Sequence, residues 1–274
     1  MWTYKVADEG EVLERLGFQK MYTKETLMED IRKLGVAKDD ILFVHSSMKA
    51  IGEVEGGADT VLDALTEAVS EGMLILPTHT WSVMSNEYPI FDPANESACV
   101  GILPNLFRKR VGVMRSLHPT HSVAAYSTNK KLLEDFVSGE EKFSTPCPRQ
   151  GCYGKLYDLD AKVLMLGVGL NRYTYLHGVE EWFGIEERLE QEALALQIKL
   201  PSGELLPVAM HKHFKPNNIS VSEYYIKMEK PFEEAGALVK GKIGNAACML
   251  LSAKQTADLT TEYLKKDRNL FLFT

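Results

Sequence analysis

Residues 41–81, ILFVHSSMKAIGEVEGGADTVLDALTEAVSEGMLILPTHTW, constrain the fold more than any other stretch. An apolar run at 41–44 reads as a buried strand. A polar loop follows, apolar positions then recur at helical spacing over about 58–69, and 73–76 form a second apolar run. A strand, a helix and a strand in this order predict neighbouring parallel strands joined by a right-handed crossover. In such sheets ligands gather beyond the carboxyl ends of the strands, which here are His45-Ser46-Ser47-Met48 and Pro77-Thr78-His79-Thr80. Small residues at Ser46 and Ser47 offer backbone N–H groups to a phosphate. The competing reading is a pair of hydroxyl turns that satisfy their own backbone. Neither a Walker lysine motif nor GxGxxG is present.

The alternation continues on either side. Thr23 as N-cap and Gly35 as stop bracket a helix over 24–34, with Leu27, Ile31 and Leu34 on one face. Residues 81–97 are polar and proline-punctuated, which predicts a long loop of the kind that rims a substrate site. A short helix at 102–110 leads into RSLHPTHSVAAYS, where Arg115, His118, His121 and Ser122 precede a small-residue strand. Further helices are expected at 130–137, 153–159 and, capped by Ser252, through Lys265. ALALQIKLPSGELLPVAM reads as a hairpin that adds antiparallel strands and makes the sheet mixed, and GALVKGKIGNAACMLL as a second hairpin, with a Ser220-capped helix between them. No repeat, linker or low-complexity segment divides the chain, so a single domain over 1–274 is expected.

With 38 acidic and 31 basic residues the net charge is −7, which argues against nucleic acid as a partner and suits a small cationic molecule. No apolar run approaches the roughly 20 residues that cross a bilayer, and MWTYKVADEGEVLERLG lacks the segments of a signal peptide. No membrane partner and a cytoplasmic location are therefore expected. Large α/β chains often pair, so a homodimer is among the expected states. The four cysteines show no CxxC pair, which indicates neither a zinc knuckle nor a disulfide scaffold. Cys147 and Cys152 would serve as nucleophiles only beside a base and a positive field.

Residues 164–182, LMLGVGLNRYTYLHGVEEW, combine a short strand, two glycines and a helix that Asn171 or Thr174 can cap. His177 falls in its first turns, with Glu180 and Glu181 at i+3 and i+4, so at least one carboxylate can hold the imidazole as a general base. A capped helix with a surface His–Glu pair gives the same spacing. Pro119 disfavours a helical metal pair at His118 and His121, and the rings of His211 and His213 share one face of a strand. A metal-dependent hydrolase built on His118, His121 and His177 is the rival from another class.

Four blocks, HSSMKAIGEVEGGADTVLDAL, LPTHTW, RSLHPTHSVAAY and LGVGLNRYTYLHGVEE, resemble in content and order the signature blocks of the aminoglycoside 3-N-acetyltransferase family. STPCPRQGCYGKL and GNAACMLLSAKQTADLTTEYLKKD extend the likeness over nearly the whole chain. The resemblance implies a metal-free enzyme that moves acetyl from acetyl-CoA to the 3-amino group of a 2-deoxystreptamine aminoglycoside. It also implies a fold unrelated to the common N-acetyltransferase superfamily, whose Q/R-x-x-G-x-G/A loop is absent here. The expected fold class is α/β, three layers α/β/α around a mixed, partly parallel central sheet. The family's LHxxE block falls on Leu176, His177 and Glu180, with Glu181 the next acid, and makes His177 the base. By the same resemblance His45, Ser46, Ser47, Met48, Pro77, Thr78, His79 and Thr80 line the channel for the pantetheine and phosphates. Arg115 is expected on a CoA phosphate, with His118 and Ser122 near the reacting centre. Oxyanion donors are expected from the N–H groups of 46–48 or from the Thr78 hydroxyl. Glu87, Asp92 and Glu96 are expected to attract a polycation, and Asn105 stands where many relatives would carry an acid.

Overall fold

The computed structural model describes residues 21–272 apart from 216 and 218, so the N-terminal stretch judged against signal peptides lies outside the described residues. In chain order the elements are β1 (Met21–Tyr22), α1 (Lys24–Leu34), β2 (Ile41–Ser46), α2 (Met48–Ile51), β3 (Glu53–Val54), α3 (Gly57–Ala68) and β4 (Met73–Pro77). Then come β5 (Ile90–Phe91), α4 (Ile102–Phe107), β6 (Met114–Arg115), β7 (Val123–Tyr126), α5 (Lys130–Val137), α6 (Cys152–Asp158), β8 (Lys162–Leu166) and α7 (Tyr175–Trp182). The chain closes with β9 (Leu194–Lys199), β10 (Leu205–Met210), a 3-10 helix (Val221–Met228), α8 (Glu229–Glu234), β11 (Leu238–Ile243), β12 (Ala246–Ser252) and α9 (Ala253–Lys266).

Seven strands form the central sheet in the order β11-β12-β8-β2-β4-β7-β6. β2 runs parallel to β4 and to β8, as the strand–helix–strand pattern requires, while β12, β11, β7 and β6 add antiparallel pairs. Side-chain alternation along these strands divides the core in two. Phe43, Met73, Ile75, Val163 and Met165 face a layer built from α5, α6, α7 and α9. Leu42, Val44, Leu74, Leu76, Leu164 and Leu166 face α1, α3 and α4. The architecture is the three-layer α/β/α arrangement with a mixed sheet.

Local signals set most of the boundaries. Thr23 and Thr26 close a reciprocal capping box on α1, and Gly35 ends it at φ 106°. Ser252 accepts a hydrogen bond from Gln255 N–H at the start of α9. The first hairpin departs from expectation: β9 and β10 lie outside the central sheet and form a three-stranded sheet with β5. The central sheet is mixed through β11–β12 and β6–β7 instead. β5 lies inside the stretch expected to be loop, because two residues carry no readable period and their partner is β9, about a hundred positions on. This small sheet has its own core of Met84, Phe91, Leu196, Ile198 and Met210.

Candidate active site

The carboxyl ends of β2, β4 and β8 bring His45, Thr78 and Leu166 to one edge of the sheet. At the end of β8 the chain turns through Gly167, at φ 68°, where a Cβ would sit 2.4 Å from the Ala50 Cβ. Only glycine passes here, and the turn delivers α7 across the sheet edge. Neither expected cap serves that helix: Leu170–Arg172 form a 3-10 turn, and Thr174 is itself helical, with no side-chain cap bond. Gly178 lets the helix approach the 145–147 loop, since a Cβ there would meet the Cys147 Cβ at 3.3 Å.

His177, 9% exposed, anchors a four-member chain. Its Nδ1 lies 2.7 Å from the Tyr225 hydroxyl, which donates at 2.6 Å to Glu180 Oε2, and Arg188 Nε donates to Glu180 Oε1 at 2.6 Å. Burial raises the Glu180 carboxyl, while Arg188 and Tyr225 pull it back toward the ionised form. With the carboxylate ionised, the single phenol proton goes to Glu180 and the phenol oxygen accepts from Nδ1–H. That fixes the tautomer and leaves His177 Nε2 as a lone-pair acceptor. Burial above all, then the charges of Arg188 and Lys215, push the His177 pKa down to about 3, so the ring is neutral at pH 7.

Glu180 therefore reaches the histidine through Tyr225 rather than directly; the direct distance is 4.0 Å. Glu181 points elsewhere. It accepts from the Thr145 hydroxyl and from Cys147 N–H at 3.1 Å, and burial raises its carboxyl to about 7. It braces the 145–147 loop and makes no bond to the imidazole, which corrects its expected place beside the base.

Several groups expected to meet substrate are occupied by the protein. Arg115 donates from Nε to Thr78 Oγ1 and Ser122 Oγ at 3.2 and 3.1 Å, and from its terminal nitrogens to the carbonyls of Pro93, Glu96 and Thr78 at 3.1, 2.6 and 2.7 Å. Its guanidinium also lies over the Phe91 ring. It is a clamp between the 93–96 loop and the strand ends, not a cation free for phosphate. Ser122 donates to Thr78 O at 2.9 Å, so the Thr78 hydroxyl, 3.0 Å away, turns its own proton to Ser122 Oγ. Ser47 N–H donates to Leu166 O at 2.8 Å, which takes that donor out of the N–H cradle read from the sequence. Met48 opens α2, and Pro77 is held in the ladder opposite Val123. Thr80 donates to Pro119 O at 2.5 Å. His118 gives Nε2–H to Thr145 O at 2.9 Å, and its Nδ1 accepts from the N–H groups of Thr120 and His121.

Around this network stand the other imidazoles. His79, 2% exposed, bonds through Nε2 to the Tyr153 hydroxyl at 2.6 Å, and its ring centroid lies 4.8 Å from that of His121. His121 meets His213 edge-on at 5.0 Å, and His213 stacks on His177 at 4.1 Å with the planes 22° apart. His45 and His213 each have a buried Nε2 without a partner among the described residues. Burial pushes all of these rings below the usual histidine range, His45 to about 3.

The family model for aminoglycoside 3-N-acetyltransferase matches residues 43–265. The chain belongs to that family. It is 28% identical over 276 residues to aminoglycoside N(3)-acetyltransferase III of Acinetobacter baumannii, covering 90% of this chain and 92% of the relative. Two solved structures share the fold. AAC-IIIb, in a binary complex with CoASH, superposes with a TM-score of 0.78 at 24% identity over 90% of this chain and 97% of that one. A histidine-to-alanine variant of AAC(3)-IVa in complex with a gentamicin gives 0.80 at 24% identity over 94% and 93%. As a member of the aminoglycoside 3-N-acetyltransferase family, the chain is an acyltransferase.

Within this family member, sequence reasoning placed His177 and Glu180 together but missed Tyr225, Arg188, Tyr153 and the stack with His213. Arg188 and His213 arrive on one short ladder: Leu189 bridges His213, and Phe214 N–H donates to Arg188 O at 2.7 Å. No spacing signals Tyr225, which lies 48 positions from His177. The two loop cysteines are buried, and burial raises both thiols well above their usual range, so neither supplies a thiolate. Asn105 staples its own loop, bonding Ala98 N–H, Ala98 O and Gly101 O. Asp92 is tied to Lys199 at 2.9 Å and held down at about 2 by that ammonium and by Asn95. Among the described residues no three His, Cys, Asp or Glu side chains are arranged to hold a metal, and no helix is long and apolar enough to cross a membrane.

Proposed function

We propose that this chain transfers acetyl from acetyl-CoA to the 3-amino group of a 2-deoxystreptamine aminoglycoside, with His177 as general base. The observation that carries the reading is the chain Arg188–Glu180–Tyr225–His177, which holds a neutral imidazole with Nε2 as acceptor in a member of this family. The relatives bound to CoASH and to a gentamicin supply the kinds of molecule to try. An amine must lose a proton to become an amide. His177 Nε2 takes that proton as the amine nitrogen bonds to the thioester carbon, and returns it to the sulfur when the carbon–sulfur bond breaks. General-base assistance of this kind contributes about 10²–10⁴-fold. Arg115, committed to carbonyls and hydroxyls, is left out of phosphate binding; its part is to hold the strand ends in register.

A second reading keeps the chemistry and changes the acceptor to another small amine. Lys215 is among the charges acting on His177, and Asp92 is neutralised by Lys199, so the acid groups that would attract a polycation are fewer than the sequence implies. The test for both is release of CoA thiol from acetyl-CoA, with and without a panel of aminoglycosides, on wild type and His177→Ala. Thiol release that needs both drug and His177 upholds the first reading. Tight acetyl-CoA binding with no turnover on any drug removes the aminoglycoside and leaves the second.

A further inference from the structure

Two features of His213 have no structural explanation. Its Nε2 is sealed from solvent without a partner among the described residues, although a buried polar group left unbonded costs about 1–3 kcal/mol. Its ring also lies face to face with that of the base, with centroids 4.1 Å apart and planes at 22°. His45 Nε2 and Arg188 Nη2 are likewise buried without a partner among the described residues, but of the three groups His213 is the one stacked on the base. Acyl transfer needs a donor there. As the amine bonds to the thioester carbon, the carbonyl electron pair moves onto oxygen, and that oxygen must lie about 3 Å from a fixed donor while the amine lies as close to the base. Two donors read from the sequence for this task are spent: Ser47 N–H on Leu166 O, and the Thr78 hydroxyl on Ser122.

We propose that His213 is a catalytic residue, a neutral imidazole whose Nε2–H donates to the acyl oxygen as its negative charge develops. The idea rests on the acetyl-transfer reading above and adds a second imidazole with a separate task. His213 keeps its proton throughout. The oxygen's electron pair returns to the carbonyl as the carbon–sulfur bond breaks, and the proton held by His177 goes to the leaving sulfur. The stack suits this division, because it sets the two imidazoles side by side within reach of neighbouring atoms of a single tetrahedral centre. The surrounding groups keep His213 neutral: its neighbours are the imidazoles of His177, His121, His79 and His118 and the ammonium of Lys215, all of which disfavour a second positive charge.

The test reads the hydrogen bond itself. Acetyl-CoA carrying carbon-13 at the carbonyl is bound to wild type, His213→Phe and His213→Gln, and isotope-edited infrared spectra record the carbonyl stretch, with calorimetry confirming binding. Wild type shifts the stretch to lower frequency than in free acetyl-CoA, phenylalanine, which keeps the stack but not the N–H, abolishes the shift, and glutamine restores part of it. Acetyl transfer by His213→Phe falls about 10²–10³-fold with both KM values little changed. An identical stretch in wild type and His213→Phe, or transfer by that variant within about threefold of wild type, overturns the role of His213 while the acetyltransferase reading stands. Failure of wild type to bind acetyl-CoA overturns the parent reading and this one with it. Without any variant, long-range proton–nitrogen spectra of histidine-labelled wild type must show His213 as the Nε2–H tautomer with a resonance that moves on adding acetyl-CoA; the Nδ1–H tautomer overturns the proposal.

Discussion

The strand-end network of Thr78, Arg115, His118 and Ser122 and the helical side of the site, with His177, Tyr225 and His213, use the same kinds of residue within one buried cluster. They differ in how fully their polar atoms are answered. In the first, each nitrogen of Arg115, both hydroxyls and both His118 nitrogens bond to protein atoms. In the second, among the described residues, the base is bonded at Nδ1 and the Nε2 of the ring stacked on it is open. Residue type does not separate scaffold from chemistry here. Saturation of hydrogen-bonding capacity does, because a group already bonded on every side has nothing to offer a substrate.

The largest expected effect is common to both regions. Six histidines are held below their usual range by burial, His45 and His177 at about 3. Below about pH 6.5 the unfolded chain takes up protons that the native state refuses, so stability is intact above that pH and falls as pH drops toward 3. Each ring contributes up to about 1.4 kcal/mol per pH unit, and several kcal/mol are lost by pH 5. Urea melts from pH 8 to 5 check this, and a flat profile means that the native rings take up protons as those of the unfolded chain do.

Substitutions then divide the regions. His177→Ala lowers acetyl transfer about 10²–10⁴-fold with little change in thermal midpoint. His118→Ala does the reverse, losing about 2–4 kcal/mol while activity per folded molecule is kept. Activity loss in His118→Ala at wild-type stability would break the comparison. Arg115→Ala strands two hydroxyls and three carbonyls and costs about 3 kcal/mol, a fall of about 6–12 °C in Tm, with CoA affinity by calorimetry unchanged. Lost CoA affinity at unchanged Tm would return Arg115 to the phosphates. Tyr225→Phe cuts the bond that orients the base and lowers kcat about 10- to 100-fold with KM steady, which steady-state kinetics resolve. Glu181→Gln has the smallest effect. The native carboxyl, raised to about 7, holds a proton that the unfolded chain releases near 4.5, so its contribution is full below 4.5 and lost as pH rises through 7. Glutamine keeps the acceptor oxygen and removes the charge, gaining about 1–2 kcal/mol at pH 8 and nothing at pH 4.

Much of this was legible in the chain because it is local. The capping box at Thr23, the stop at Gly35, the β2–α3–β4 unit, the turn at Gly167 and the Ser252 cap depend on neighbours within a few residues. His177 and its pair of acids were legible for the same reason. The pair itself was ambiguous, since i+3 and i+4 both neighbour a helical residue. Only the fold sent Glu181 to Thr145 and brought Tyr225 between Glu180 and the imidazole. The fold also spent Arg115 on carbonyls and laid His213 on His177. Sequence by itself determined which groups are able to act, because side-chain chemistry and helical spacing are written residue by residue. Tertiary structure decided which of them remain free to act, because a donor's partner is set by strand order and loop packing across tens of residues, and no local pattern encodes that distance.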